Sequence, residues 1–187
     1  MKLPVYCYGH PVLREVSKPV EQPFEGLKEL VDLMFEAMYE SEGVGLAAPQ
    51  IGKNIKLVVI DADPVAESFP ECAGRKLVLV NPEVEVLDGD AISRSEGCLS
   101  LPGISEKVPR VEHIRLRWLD EDFKPHEEEI SGFLARIVQH ECDHLDGRVF
   151  IDHISGIRKQ LIKRKLSDIV AGKVRVDYPV RFAPRKK

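Results

Sequence analysis

The segment 133–145, FLARIVQHECDHL, limits the possible folds more than any other part of the chain. Apolar residues occupy most of its faces, and His140, Glu141, Asp143 and His144 are set among them. A helix of that composition is a buried one, and each polar group buried with it needs a partner. Two histidines four apart leave the same helix face, so one ion can take both imidazoles. Glu141, adjacent to a ligand, reaches the ion's water rather than the ion. This is the HExxH arrangement of metal-dependent hydrolases. A bound divalent ion accounts for the polar cluster, whereas a purely structural helix does not.

Two histidines leave the coordination sphere short. In the zincin pattern HExxHxxGxxH, Gly147 stands at the glycine, but Phe150 takes the next ligand position and His153 comes three residues too late. A second zincin pattern needs a downstream glutamate, and none follows Glu141. The third ligand therefore comes from upstream, where Cys98, His113 and His126 are candidates. Cys98 lies in Ser95–Ser100, a polar, glycine-containing break from which a thiol can approach a helix, yet spacing leaves the three candidates open. Cys7, Cys72 and Cys142 read as small buried hydrophobes. Cys142 is two residues from each histidine and points to the opposite face. Irregularly spaced cysteines, with no apolar stretch at the start (MKLPVYCYGH), predict a reduced cytoplasmic protein rather than a disulfide framework. No segment approaches the roughly 20 apolar residues of a membrane span, so no membrane partner is expected.

Around this helix the pattern predicts an α+β fold: antiparallel or mixed β-sheets about a central buried helix, with an N-terminal and a C-terminal helix. Helical spacing of Leu27, Leu30, Val31, Met34, Phe35 and Met38 marks the first helix, within 24–41. A glycine-bearing loop, 43–52, follows. Strands are predicted at 56–61 and 76–80, another after Asn81-Pro82, one long strand over 108–119 and a partner at 126–130; 62–75 reads as a surface loop. The last helix, 154–170, carries an apolar stripe of Ile157, Leu161, Ile162, Leu166 and Ile169 and a basic face of Arg158, Lys159, Lys163, Arg164 and Lys165. Residues 1–171 form one domain, and 172–187 a basic tail with an edge strand at Val174 and Val176 and a disordered end, 184–187. Net charge is −4, unevenly placed: 158–187 holds 11 Lys or Arg against Asp168 and Asp177. Such asymmetry suggests a polyanionic partner for the C-terminal end, bound without sequence-specific nucleic-acid recognition.

Three segments, GVGLAAPQ (43–50), EGCLS (96–100) and QHECDHLDG (139–147), together resemble the three motifs of the peptide deformylases, in that family's order. The resemblance extends over roughly residues 3–170 and leaves 62–75 and the tail after Gly172 outside it. It implies that Cys98, His140 and His144 hold the ion, with water completing the site. Iron(II) is the expected metal; zinc, nickel or cobalt can occupy the same ligands. The implied reaction removes the formyl group from the N-terminal methionine of nascent peptides. Glu141 would act as base and acid, and Gln50 and the Leu99 N–H as oxyanion donors worth about 3 kcal/mol each. The backbone of Val44, Gly45 and Gly97 would pair with the substrate, Val44 and Ile137 would wall a methionine slot, and Arg136 would flank the mouth. The basic helix would dock on the ribosome. An HExxH endopeptidase and a non-catalytic ribosome-associated or metal-binding module compete. The missing downstream ligand counts against the first, and the presence of Glu141 and Gln50 against the second.

Overall fold

In the computed structural model, which describes residues 2–184, the strands and helices follow one another along the chain in this order. Strand β1 is Val5–Tyr6, helix α1 Leu27–Glu40, and strands β2 to β8 are Gly45–Ala47, Leu57–Asp61, Lys76–Val86, Ala91–Gly97, Ser105–Val111, His113–Leu119 and Pro125–Ser131. Helix α2 is Phe133–Leu145, helix α3 Gly156–Val170 and strand β9 Val180–Arg181. Five strands form an antiparallel sheet in the order β2-β3-β4-β7-β8. Strands β5 and β6 form a separate hairpin, and β1 pairs in parallel with β9. None of the helices described is long and apolar enough to cross a membrane.

The large sheet separates two apolar cores. Successive side chains of a strand point to opposite faces, and β3 is buried on both. Val58 and Ile60 face α2, packing with Leu134, Ala135 and Val138. Leu57 and Val59 face α1, packing with Val31, Met34 and Met38. A third core joins β6 to the ends of the chain through Cys7, Val108, Phe150 and Ile169.

Several expected boundaries shift, each for a local reason. The expected loop 43–52 contains β2 and a 3-10 turn over Ala48–Ile51. Strand β4 runs straight through Asn81, where two strands were expected; its register shifts between Val80 and Glu83, with Asn81 at φ 50°. The Asn81 amide stabilises that bulge by accepting from Val20 N–H and donating to Val20 C=O. The predicted strand 108–119 is two strands in two sheets. Its inward alternation passes unbroken through Val108, Arg110, Glu112, Ile114 and Leu116, all buried, so period alone does not reveal the switch at Glu112. Strand β5 was not expected, because its buried residue is Glu96 and its Ile92 is half exposed. The segment 62–75 holds two short 3-10 turns and covers the start of α2: Phe69 stacks on Phe133, and Glu71 accepts the Phe133 N–H at 2.7 Å. Helix α3 docks through Ile162, Leu166 and Ile169, leaving Ile157 77% and Leu161 66% exposed. Five helical residues turn about 140°, so Ile157 and Ile162 cannot share a face. The tail strand is Val180–Arg181 rather than Val174–Val176. Pro184 is exposed, and the expected disorder at 185–187 lies outside the described residues.

A buried charge network fastens the hairpin to α2. Arg110 donates to both Glu96 oxygens at 2.8 and 3.0 Å and to Asp143 at 3.0 Å. Arg136 donates to Glu112 and Glu96 at 2.8 and 2.7 Å and to the carbonyls of Val108 and Ile92. Breaking such a network strands a charge in the interior. Arg110→Ala is expected to cost about 3–5 kcal/mol in urea unfolding at neutral pH. Acid should attack the same place. Burial pushes the Glu96 carboxyl up, but His140 and Arg110 outweigh it and hold it at about 2. Asp143 is likewise held low against burial, by His153 and Arg110. A depressed carboxylate contributes stability that is complete above its unfolded pKa, near about 4, and lost as pH falls through its folded value. Unfolding free energy should therefore decline from about pH 4 toward pH 2, and less steeply in Arg110→Ala.

Candidate active site

Helix α2 presents three faces to three surroundings. Leu134, Val138 and Leu145 enter the core. Arg136 and Asp143 enter the charge network. Ile137 and Glu141 face a cavity of about 700 Å³. His140 and His144 stand one turn apart, their ring centroids separated by 5.4 Å. The β5–β6 connection brings Cys98 to them, with its Sγ 3.4 Å from His144 Nε2. One ligand atom from each of the three residues lies within 4.8 Å of the others, and among the described residues no further group of three potential ligands is found.

The other candidates for a third ligand lie elsewhere. His113 contacts Asp88, and His126 pairs with Asp120, both on the large sheet. His153 bonds Asp143 at 2.7 Å, and Phe150, at the position where a zincin ligand would stand, stacks on His140 at 5.9 Å. Of the candidates that spacing left open, Cys98 is the one the fold brings beside His140 and His144.

The electrostatics distinguish Cys98 from the other thiols. Burial opposes its ionisation, but His144 and His140 outweigh that and hold it at about 5. Burial instead pushes Cys7 to about 12 and Cys72 to about 11, and raises Cys142 as well. Burial also works against charge on His140, yet Cys98 and Glu96 raise its pKa well above the ordinary range. Its Nδ1 lies 2.8 Å from Glu96 Oε1, which leaves Nε2 for the cluster. Such a carboxylate partner fixes both the tautomer and the direction of a ligating imidazole.

Gln50 is 2% exposed and its orientation is fixed. Its Oε1 accepts the Ala47 N–H at 2.9 Å, so its amide nitrogen faces Cys98 Sγ at 3.4 Å and Ser100 Oγ at 3.2 Å. Glu141 is buried on the cavity wall, and its Oε2 has no hydrogen-bond partner. Burial raises its pKa, and the two histidines oppose the rise. A Cβ on Gly45 would lie 2.6 Å from Glu141 Oε1, so only glycine lets β2 pass the carboxylate this closely.

Val44, Gly45, Gly97, Leu99 and Ile137 all line the cavity. Two expectations change in detail. The Val44 carbonyl accepts the Asp61 N–H, which turns it into the sheet and leaves Gly45 at the free edge. Arg136 touches the cavity but is 1% exposed, because its guanidinium is spent on the charge network instead of standing at the mouth. The sequence reading missed Glu96, Ser100 and Tyr178. Glu96 and Ser100 are signalled by their place in EGCLS, two residues either side of Cys98. Tyr178 carries no local signal, since only the fold brings it to Leu99.

The chain matches the polypeptide deformylase family over residues 2–160. It is 45% identical to a peptide deformylase of Salinibacter ruber, covering 96% of this chain and 94% of the relative. A peptide deformylase of Flavobacterium psychrophilum is 42% identical over the whole of both chains. Among solved structures, the peptide deformylase of Thermus thermophilus superposes with a TM-score of 0.79 at 40% identity, covering 89% of this chain and 96% of that one. Arabidopsis thaliana peptide deformylase 1B, in complex with an inhibitor, gives 0.81 at 35% identity and 91% of each chain. With a matched family over most of its length and relatives alike from end to end, this chain belongs to the peptide deformylases, enzymes that remove N-formyl groups.

Proposed function

We propose that the protein removes the formyl group from the N-terminal formylmethionine of newly synthesised polypeptides in the cytoplasm, using one divalent metal ion held by Cys98, His140 and His144. The observation that carries this reading is the placement of Glu141, buried and with Oε2 unpartnered, beside three converging ligand atoms on the wall of a peptide-sized cavity. The residues fit an ion: a thiol already poised as thiolate and an imidazole oriented by Glu96 are the deprotonated donors a dication requires. Iron(II) is the expected occupant, and zinc, nickel or cobalt suit the same thiolate and imidazole set. When bound, the ion supplies Lewis acidity, which makes water nucleophilic near neutral pH.

The chain's own groups do the rest. Glu141 takes the proton of the attacking water and returns it to the departing amine, and its burial-raised pKa suits both halves of that task. The Gln50 amide and the Leu99 N–H stabilise the oxyanion. An extended substrate lies between the free edges of β2 and β5, pairing with Gly45 and Gly97. The methionine side chain enters an apolar slot walled by Val44 and Ile137.

His140→Ala, His144→Ala and Cys98→Ala are each expected to lose most bound metal and all useful turnover of a formylmethionyl peptide. Cys142→Ser should keep the metal. Glu141→Gln should also keep it while turnover falls about a hundredfold or more. Metal analysis of anaerobically purified protein, beside assays on formylated and unformylated peptides, checks these outcomes. Release of the ion by Cys142→Ser but not by Cys98→Ala would overturn the ligand assignment.

The same reading gives α3 a role at the ribosome, whose surface is rich in phosphate. Arg158 is paired with Glu106 and Lys165 reaches the Gly103 carbonyl, so Lys159, Lys163 and Arg164 are the exposed cations to offer outward. Reversing these three to Glu should weaken ribosome co-sedimentation at low salt and leave hydrolysis of a short peptide unchanged; wild-type binding should fall as salt rises. Equal co-sedimentation of variant and wild type returns the helix to a structural role.

A further inference from the structure

Both peptide units that flank Leu99 are held through their carbonyls. The Cys98 carbonyl accepts the Leu101 N–H at 2.9 Å, and the Leu99 carbonyl accepts the Tyr178 hydroxyl at 2.8 Å. The first bond is local to the ligand loop. The second comes from a residue 79 positions away, beyond the last helix. Tyr178 is half-buried on the cavity wall. Burial pushes its hydroxyl to about 12, so it remains a donor throughout the working range.

The tail that carries Tyr178 is anchored on both sides of it. Val174 before it, and Val180 and Phe182 after it, pack on the third core, which Cys98 also touches. Val5 N–H donates to the Pro179 carbonyl and Cys7 N–H to the Arg181 carbonyl, both at 2.9 Å. A hydroxyl held this firmly can fix the group it bonds.

We propose that Tyr178 is a positioning residue for the reaction: its hydroxyl, bonded to the Leu99 carbonyl, fixes the Leu99 backbone so that its N–H points at the developing oxyanion. The inference rests on the oxyanion role given to Leu99 above. The hydroxyl bonds none of the three ligand side chains and acts through the Leu99 backbone, from the Leu99–Ser100 peptide to the adjoining Cys98–Leu99 peptide that bears the N–H. Loss of the bond frees the Leu99–Ser100 peptide to turn, and with it the adjoining Cys98–Leu99 peptide about the Cys98 ψ, while the Cys98 thiol, anchored separately by the histidines, stays in place. An oxyanion donor matters most in the transition state, so loss of its aim lowers turnover rather than binding.

Tyr178→Phe tests this, since the ring and its packing survive. In the metal-loaded enzyme acting on a formylmethionyl tripeptide, kcat should fall between about 5- and 50-fold, less than the roughly hundredfold cost of removing a donor outright. KM should stay within about twofold, and bound metal and the thermal midpoint should match wild type. An unchanged kcat overturns the proposal. So does a loss of activity accompanied by lost metal or a lowered thermal midpoint, which would make the contact structural. Absence of deformylation by wild type would instead remove the proposed function itself, a result distinct from either.

Discussion

Two arginines, Arg110 and Arg136, are almost wholly enclosed among Glu96, Glu112 and Asp143, and the active site depends on that arrangement. Removing five charges from water is costly, and apolar residues of similar shape would join α2 to the hairpin at least as well. Apolar residues would not orient His140. For that task a carboxylate must sit 2.8 Å from Nδ1 and remain ionised inside the protein. Glu96 stays ionised because His140 and Arg110 outweigh its burial, and the two arginines that donate to it are tolerated because Glu112, Asp143 and two carbonyls satisfy their remaining donors. The network thus couples packing to ligand geometry: the contacts that seat α2 against β5 and β6 also aim an imidazole.

Much of this was legible in the sequence, and what was not has a common cause. The bounds of α2 follow from its composition, and the positions of His140, Glu141 and His144 follow from helical spacing. Cys98 emerged from the resemblance of its segment and not from spacing, because a loop thiol leaves no periodic trace. The split at Glu112 was hidden because alternation continues when a strand passes from one sheet to another. Strand β5 was hidden because its inward residue is a carboxylate, which reads as surface. Arg136 was misplaced for the same reason: an arginine is read as exposed unless its partners are known, and these come from the two strands of the hairpin and from Glu112 just beyond it. The exposed Ile157 and Leu161 show the converse, since an apolar residue is not obliged to be buried.

The cleft itself is a seam between two sheets. The last strand of the large sheet on this side, β2, has only three residues, and β5 is one arm of an isolated hairpin. Each offers an unpaired edge toward the cavity. Exposed edges invite unwanted pairing, and short length is one way to limit that risk. Here the same brevity lets Gly45 bring backbone and the Glu141 carboxylate to one spot, so that, on the proposed function, an extended chain entering the seam meets hydrogen-bonding groups and the proton carrier together. Positioning of substrate and chemistry are thereby linked through one glycine.

The ligand loop has its own support, and it comes from both ends of the chain. Successive carbonyls, Leu99 and Ser100, accept from the Tyr178 hydroxyl and the Tyr8 N–H. The segments bearing those donors are paired with each other as β9 and β1. A loop with glycine on one side of its thiol and Pro102-Gly103 beyond has little intrinsic rigidity, and a site built on such a loop is only as exact as the contacts around it. Closing a ring between the two ends of the chain around the Cys98 loop makes the loop part of a sheet-like unit without lengthening any strand within it. The backbone around Cys98 therefore draws its support from both ends of the chain, and the tail contributes to the candidate site together with the helix that carries the histidines.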